Sequence, residues 1–280
     1  MSETTSQNLS GVAETLLLPL YIRAMESQRP DALLKDDKAV ALIGQMNYDS
    51  SWITQMRVDE EDKVALVLRN REFDRYARDF LARCPEAVVV HIGCGLDSRF
   101  ERVDNGQVEW YDLDLPEVIE LRRKFIGNEG ARYHLLSCSV LDSAWLDTVC
   151  VHRQRPFLFL AEGVLMYFEG AQVKSLVLTL RDHFPGAELV CDAFSPLLVW
   201  ANNLRIARTK IGARYYWGLK RGRDVERWGD GICLLDEWFP FDRPEPRLAH
   251  VQWVRYIPPL AHVMGIFHYR LGKTAKRGTR

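Results

Sequence analysis

The sequence predicts an α/β protein built on a mostly parallel sheet, and three observations carry the prediction. From residue 87 onward, short apolar runs rich in branched residues alternate with helical segments. A glycine turn follows the first run, and the second run ends in carboxylates.

Upstream, residues 1–85 read as an N-terminal cover, polar over its first ten residues and helical from about 11 to 85. Leu16, Leu17, Leu20 and Met25 share one side of a first segment. Asp31 is placed to start a second helix whose apolar face would be Val40 to Ile43. A third helix fits Asp59 to Arg83, where Val64, Leu68, Phe73, Phe80 and Leu81 recur at roughly helical spacing. Ala87 to Gly93 is nearly all apolar, as suits a central strand covered on both faces. Further strands fit Glu109 to Leu113, Tyr133 to Ser137, Phe157 to Ala161 and Glu188 to Ala193. Helices fit Leu115 to Phe125, Ser143 to Val149 and Gly170 to Phe184. The alternation implies right-handed crossovers. It stops after Phe194. Residues 195–246, rich in Trp, Tyr, Arg and Gly, read as a lid insertion at the sheet's carboxyl edge, inside a main domain of 86–280. Two last strands fit Val251 to Ile257 and Gly265 to Leu271, the final one antiparallel.

Composition removes several classes. With 37 basic and 38 acidic residues the net charge is −1, so no basic excess points to nucleic acid or an anionic membrane surface. No apolar run reaches membrane-span length, and the N-terminus lacks the charged-then-apolar pattern of a signal peptide. The six cysteines form no C-x-x-C pair and no zinc-ligand spacing with histidine. They read as reduced thiols of a cytoplasmic protein, and no metal is expected.

The chemistry gathers at the strand ends. In His91-Ile92-Gly93-Cys94-Gly95-Leu96-Asp97-Ser98-Arg99, two glycines one residue apart permit a tight turn and close approach of a ligand to the backbone. Ser98 stands where a dinucleotide fingerprint has its third glycine. Asp114, about 20 residues after the turn, ends the second strand, where a carboxylate accepts hydrogen bonds from ribose hydroxyls; capping the helix at Pro116 is the alternative. Ser139 and Asp142 after the third strand are candidates for the adenine edge, with Asp142 also able to cap a short helix. Glu162 ends the apolar fourth strand. Buried there it needs a cation, either an internal salt bridge or a ligand ammonium. Arg69, on the third helix, has the fork for a ligand carboxylate or serves as a solvated surface charge.

Four pieces in order resemble the leucine carboxyl methyltransferase family, and its bacterial branch of polyketide O-methyltransferases more closely: Leu68 to Asp74, Ile92 to Arg99, Tyr111 to Pro116, and Ala161 to Tyr167. The later segments Leu235 to Phe239 and His268 to Gly272 are similar to the same branch. The resemblance implies a class I methyltransferase, Rossmann-like fold with a mostly parallel seven-stranded sheet and an antiparallel last strand. It implies S-adenosylmethionine as cofactor, with S-adenosylhomocysteine as product. Arg69 would meet the cofactor carboxylate, Gly93 and Gly95 would underlie the methionine portion, Asp114 would hold the ribose and Glu162 the ammonium. One departure concerns adenine: the family's usual acidic position is Ser139 here, followed by Val140.

The expected reaction is O-methylation of a carboxylate or phenolic hydroxyl of a small molecule. Alternatives are methylation of a protein's C-terminal carboxylate, a nicotinamide-dependent oxidoreductase on a similar sheet, and a protein that binds the cofactor without turnover. No residue is compelled to act as general base. Tyr167 lies nearest the expected site, either orienting the acceptor or filling the core. Tyr215, Tyr216 and Trp217, beside Arg205, Arg208, Lys210 and Arg214, would form the acceptor pocket.

Overall fold

The computed structural model describes residues 12–46, 58–127, 129–206 and 214–272. Helix α1 spans Val12–Ser27 and α2 spans Asp37–Gln45. The second helix begins six residues later than expected. Asp36, not Asp31, caps it, its Oδ1 accepting the Ala39 N–H at 2.9 Å, while Asp31 is solvent-exposed and pairs with Arg29. Leu17 and Leu20 enter the core, but Met25 remains 48% exposed.

Helix α3, Glu60–Arg83, positions the site. Its C-terminal half lays Phe73, Ala77, Phe80 and Leu81 on the sheet, each at most 3% exposed. Its middle turns carry Arg69, Asn70 and Asp74, with Asn70 and Asp74 sharing a face at i, i+4 and Arg69 beside them. One helix thus covers the sheet with hydrocarbon toward its C-terminal end and supplies charge from its middle turns.

The sheet has seven strands in the order β3-β2-β1-β4-β5-β7-β6. Strands β1 (Val88–Ile92), β2 (Glu109–Asp114), β3 (Tyr133–Ser137), β4 (Phe157–Ala161) and β5 (Ala187–Phe194) pair parallel, and β7 (Met264–Leu271) runs antiparallel to both β5 and β6. Every residue of β1 and β4 is buried, and each Val or Ile so placed contributes about 1.5–3 kcal/mol. Between strands lie α4 (Arg99–Val103), α5 (Pro116–Phe125), α6 (Ala144–Cys150) and α7 (Gly170–His183), with α8 (Pro196–Ile206) following β5.

One strand expectation near the C-terminus is corrected, and one strand was missed. Val251 to Ile257 is no strand: Pro246–Tyr256 is a 3-10 helix, leading into the short α9, Pro258–Ala261. Pro258 and Pro259, directly after the segment, cannot extend a ladder, and Trp253 and Tyr256 point to solvent. The strand beside β7 is β6, Cys233–Trp238, within the stretch read as an insertion. Its burial is uneven, with three consecutive exposed residues, so alternation did not reveal it. Among the described residues no helix is long and apolar enough to cross a membrane, and no group of His, Cys, Asp and Glu could hold a metal ion.

Candidate active site

Three strands that are neighbours in the sheet end together. Ile92 of β1 is in register with Leu113 of β2 and Ala161 of β4. Gly93, Asp114 and Glu162 therefore leave the carboxyl edge side by side, the position where open α/β sheets bind ligands. The glycine turn begins as Gly93 N–H donates to the Leu113 carbonyl at 2.8 Å. Gly93 and Gly95 have φ of +64° and +51°. A Cβ on Gly93 would stand 2.7 Å from Val164 Cγ2, so both backbone and space require glycine there.

Asp114 closes the turn. Its Oδ2 accepts the Gly95 N–H at 2.7 Å and its Oδ1 the Leu115 N–H at 2.8 Å. Burial pushes its carboxyl pKa up, against the two amide donors that pull it back. The side chain is half-buried and each oxygen has further acceptor capacity, as a ribose diol requires.

Glu162 sits in an ion cluster. Its Oε1 accepts from Arg69 Nε at 2.9 Å and Asn70 Nδ2 at 2.8 Å, and its Oε2 accepts from Arg99 Nη2. Arg99 is fully buried. Its other nitrogens meet Asp74 Oδ1 at 2.8 Å and His91 Nε2 at 3.1 Å, so that ring nitrogen is the acceptor. Arg69 also donates from Nη1 to Asp192 Oδ2 at 2.9 Å. The expected carboxylate holder and ammonium holder thus lie in direct contact. Glu162 has its internal salt bridge, and Arg69 is no solvated surface charge, its side chain being 11% exposed. The arrangement still fits an amino-acid zwitterion. Glu162 uses three of its roughly four acceptor positions, and Asn70 Oδ1 is buried without a hydrogen-bond partner among the described residues. Cys94, within the turn, is buried, which raises its thiol pKa and leaves it unreactive.

The adenine candidates form a compact turn. Ser139 Oγ accepts the Leu141 N–H at 3.2 Å, and the Asp142 N–H donates to the Ser139 carbonyl at 3.0 Å. Asp142 Oδ1 accepts the Ala144 N–H at 3.0 Å in an Asx turn just ahead of α6, whose N-cap position is Ser143. The Val140 side chain is buried, and its carbonyl accepts from Trp145 Nε1 at 3.1 Å.

Tyr167 lies in a 3-10 turn, Leu165–Tyr167, just past Glu162. Its ring centroid is 5.2 Å from that of Tyr215, which in turn meets Phe194 edge-on at 5.4 Å. Burial and Tyr215 raise its phenol pKa, so it stays protonated at neutral pH. Asn203 of α8 clasps the Tyr215 backbone, donating to its carbonyl at 2.8 Å and accepting its N–H at 2.9 Å. The pocket expectation for Trp217 is corrected: it is 7% exposed and packs beside Trp228 in the core. Tyr216 is half exposed beneath Arg214, and Arg205 reaches Asp62 at 3.7 Å. Arg208 and Lys210 lie outside the described residues.

Four participants escaped the sequence reading: Asn70, Arg99, Gly163 and Asp192. Asp192 had a usable signal, because an acid inside the apolar Leu189-Val190-Cys191-Asp192-Ala193 is costly unless paired, as at Glu162. Asn70 and Gly163 had none beyond adjacency to Arg69 and Glu162.

The sheet order, the single reversed strand and the glycine turn closed by the Asp114 carboxylate define a class I methyltransferase fold. The model of the family described as "Leucine carboxyl methyltransferase" matches residues 17–181, over half of the chain, and the chain belongs to that family. Among its relatives, the tetracenomycin polyketide synthesis O-methyltransferase TcmP of Streptomyces glaucescens is 36% identical over 87% of this chain and 88% of its own. The S-adenosyl-L-methionine-dependent methyltransferase dpfgK of Gibberella zeae is 30% identical over 88% of both. In fold, the chain resembles a solved DUF574 family protein of Streptomyces avermitilis, with a TM-score of 0.60 at 13% identity over 91% of this chain and 96% of that one. Membership makes the chain an S-adenosylmethionine-dependent methyltransferase.

Proposed function

We propose that this methyltransferase transfers its methyl group to a carboxylate or phenolic oxygen of a small molecule in secondary metabolism, within the cytoplasm. The observation that carries the site reading is the shared carboxyl edge, where the Gly93–Gly95 turn, the ribose-type acid Asp114 and the paired charges Arg69 and Glu162 lie on neighbouring strands and their covering helix. The similarity to TcmP favours a small acceptor over a protein C-terminus.

Bound S-adenosylmethionine supplies an electrophilic methyl on its sulfonium. The protein's task is then alignment and exclusion of water. Arg69 holds the carboxylate, and Glu162 with Asn70 Oδ1 holds the ammonium. Asp114 holds the ribose, and the Ser139–Asp142 turn with Val140 borders adenine. Tyr167, kept protonated, donates a hydrogen bond to the acceptor instead of removing its proton. A carboxylate acceptor is already ionised at neutral pH and needs no base. Helices α1–α3 cover the site.

Isothermal titration with S-adenosylhomocysteine and with nicotinamide dinucleotides tests the reading, followed by screening acceptors with labelled methyl donor. Binding of the former alone is expected, weakened at least tenfold by Asp114→Ala, about 1.4 kcal/mol. Binding of only the nicotinamide compounds would sink it.

A further inference from the structure

Asp192 has no assigned role, yet it is the buried acid nearest the working charges. It occupies the third ladder pair from the carboxyl end of β5, opposite Ile266 of β7, and is fully buried. An unpaired carboxylate in such a strand costs several kcal/mol, so its partners must compensate. Two do. Oδ1 accepts the Gly163 N–H at 2.7 Å, and Oδ2 accepts Arg69 Nη1 at 2.9 Å. Gly163 is the residue after Glu162, and Glu162 Oε1 accepts Arg69 Nε at 2.9 Å. Two carboxylates on adjacent strands therefore grip the same guanidinium through different nitrogens, and Asp192 also fixes the backbone that carries the other one.

This geometry determines which part of Arg69 remains for a ligand. With Nε and Nη1 engaged, Nη2 is left. It lies 3.4 Å from the position a Cβ on Gly163 would occupy, a residue with φ of +70° that admits no ordinary side chain without strain. A planar guanidinium anchored at one nitrogen can still rotate about its stem; anchored at two, its plane and its remaining donors are fixed. Glu162 alone would leave the fork adjustable.

We infer that Asp192 is a positioning residue: it orients Arg69 so that the guanidinium presents its remaining donors to the carboxylate of the cofactor's amino-acid moiety. The inference rests on the proposed reading of Arg69. Asp192 is fully buried with both oxygens engaged by Gly163 and Arg69, so its effect reaches a ligand only through those two residues, at the amino-acid end.

The test compares two ligands by isothermal titration: S-adenosylhomocysteine, which has the amino-acid moiety, and 5′-methylthioadenosine, which keeps adenine, ribose and sulfur but lacks it. In Asp192→Asn the amide cannot accept from both Gly163 N–H and Arg69 Nη1, because one of its ends is a donor. Affinity for S-adenosylhomocysteine is expected to fall at least tenfold, while affinity for 5′-methylthioadenosine stays within twofold. Asp192→Ser removes the grip without adding a donor facing Arg69 through an amide, and should show the same selectivity. Arg69→Lys should also lose S-adenosylhomocysteine affinity, and the loss in the Asp192→Asn, Arg69→Lys double variant should be smaller than the product of the single losses, since both break one contact. Equal weakening of both ligands, or no weakening of either, would overturn the positioning role. If the wild-type protein did not prefer S-adenosylhomocysteine over 5′-methylthioadenosine, the reading of Arg69 would fall and the inference with it.

Discussion

At the scale of single residues, the site depends on positions where one side chain, or none, is admissible. Gly93 combines a left-handed φ with a contact that would bring a Cβ to 2.7 Å from Val164. Gly93→Ala therefore incurs left-handed strain of about 1–2 kcal/mol in addition to the overlap. Lower thermal stability and loss of S-adenosylhomocysteine binding are expected together, read by calorimetry and titration; a variant with wild-type values in both would contradict the geometry. Gly93, Gly95, Asp114 and Glu162 were legible as candidates because each breaks a local pattern: two glycines where a strand ends, and acids where apolar runs end. Their partners were less legible. Arg99 follows the turn in sequence, yet only the fold directs its guanidinium to Glu162, Asp74 and His91 at once.

At the scale of elements, the glycine turn is held from below by α5. Buried Arg122 donates from Nη1 to the carbonyls of Gly95 at 2.7 Å and Asp97 at 2.9 Å. Its Nη2 meets Asp112, whose Oδ2 also accepts from Tyr133 Oη at 2.6 Å. Asp112, the second acid of β2, thus has a structural task distinct from that of Asp114. Removing one partner of such a buried pair typically costs about 3–5 kcal/mol, whereas replacing both with apolar residues costs far less. Urea unfolding should show Arg122→Met strongly destabilised and the Arg122→Met, Asp112→Leu double variant partly recovered. A double variant no better than the single would mean that the loop carbonyls, rather than the ion pair, dominate. At the same scale the sequence misplaced one strand: β6 lacks alternation and could be recognised only by its pairing with β7.

At the scale of the whole molecule, acids on one sheet face are matched by arginines from the helices that cover it. Far from the site, Glu188 of β5 accepts from His268 of β7 at 2.7 Å and from Arg83 of α3 at 2.8 Å, tying two strands and the covering helix together. Burial pushes its carboxyl pKa up, but the His268 and Arg83 hydrogen bonds outweigh that and bring it from 4.5 down to about 2. A depressed carboxylate pKa stabilises the fold above the unfolded value and loses that contribution as pH falls through the folded one. Thermal unfolding should therefore show wild type more stable than Glu188→Gln above pH 4.5, with the gap closing as pH falls toward about 2. A gap independent of pH would locate the stabilisation elsewhere.

By itself the sequence determined the α/β class, the parallel core strands, the glycine turn and the acids at the strand ends, because those features arise from local periodicity and from the cost of placing charge or glycine in apolar runs. Tertiary structure alone decided which charges meet. Arg69, Arg99, Glu162 and Asp192 are separated by up to 123 positions along the chain, and no local pattern encodes a pairing that depends on strand order. It likewise decided that Trp217 belongs to the core while Tyr215 packs against Tyr167 and Phe194, since two neighbouring aromatics differ only in what the fold packs against them.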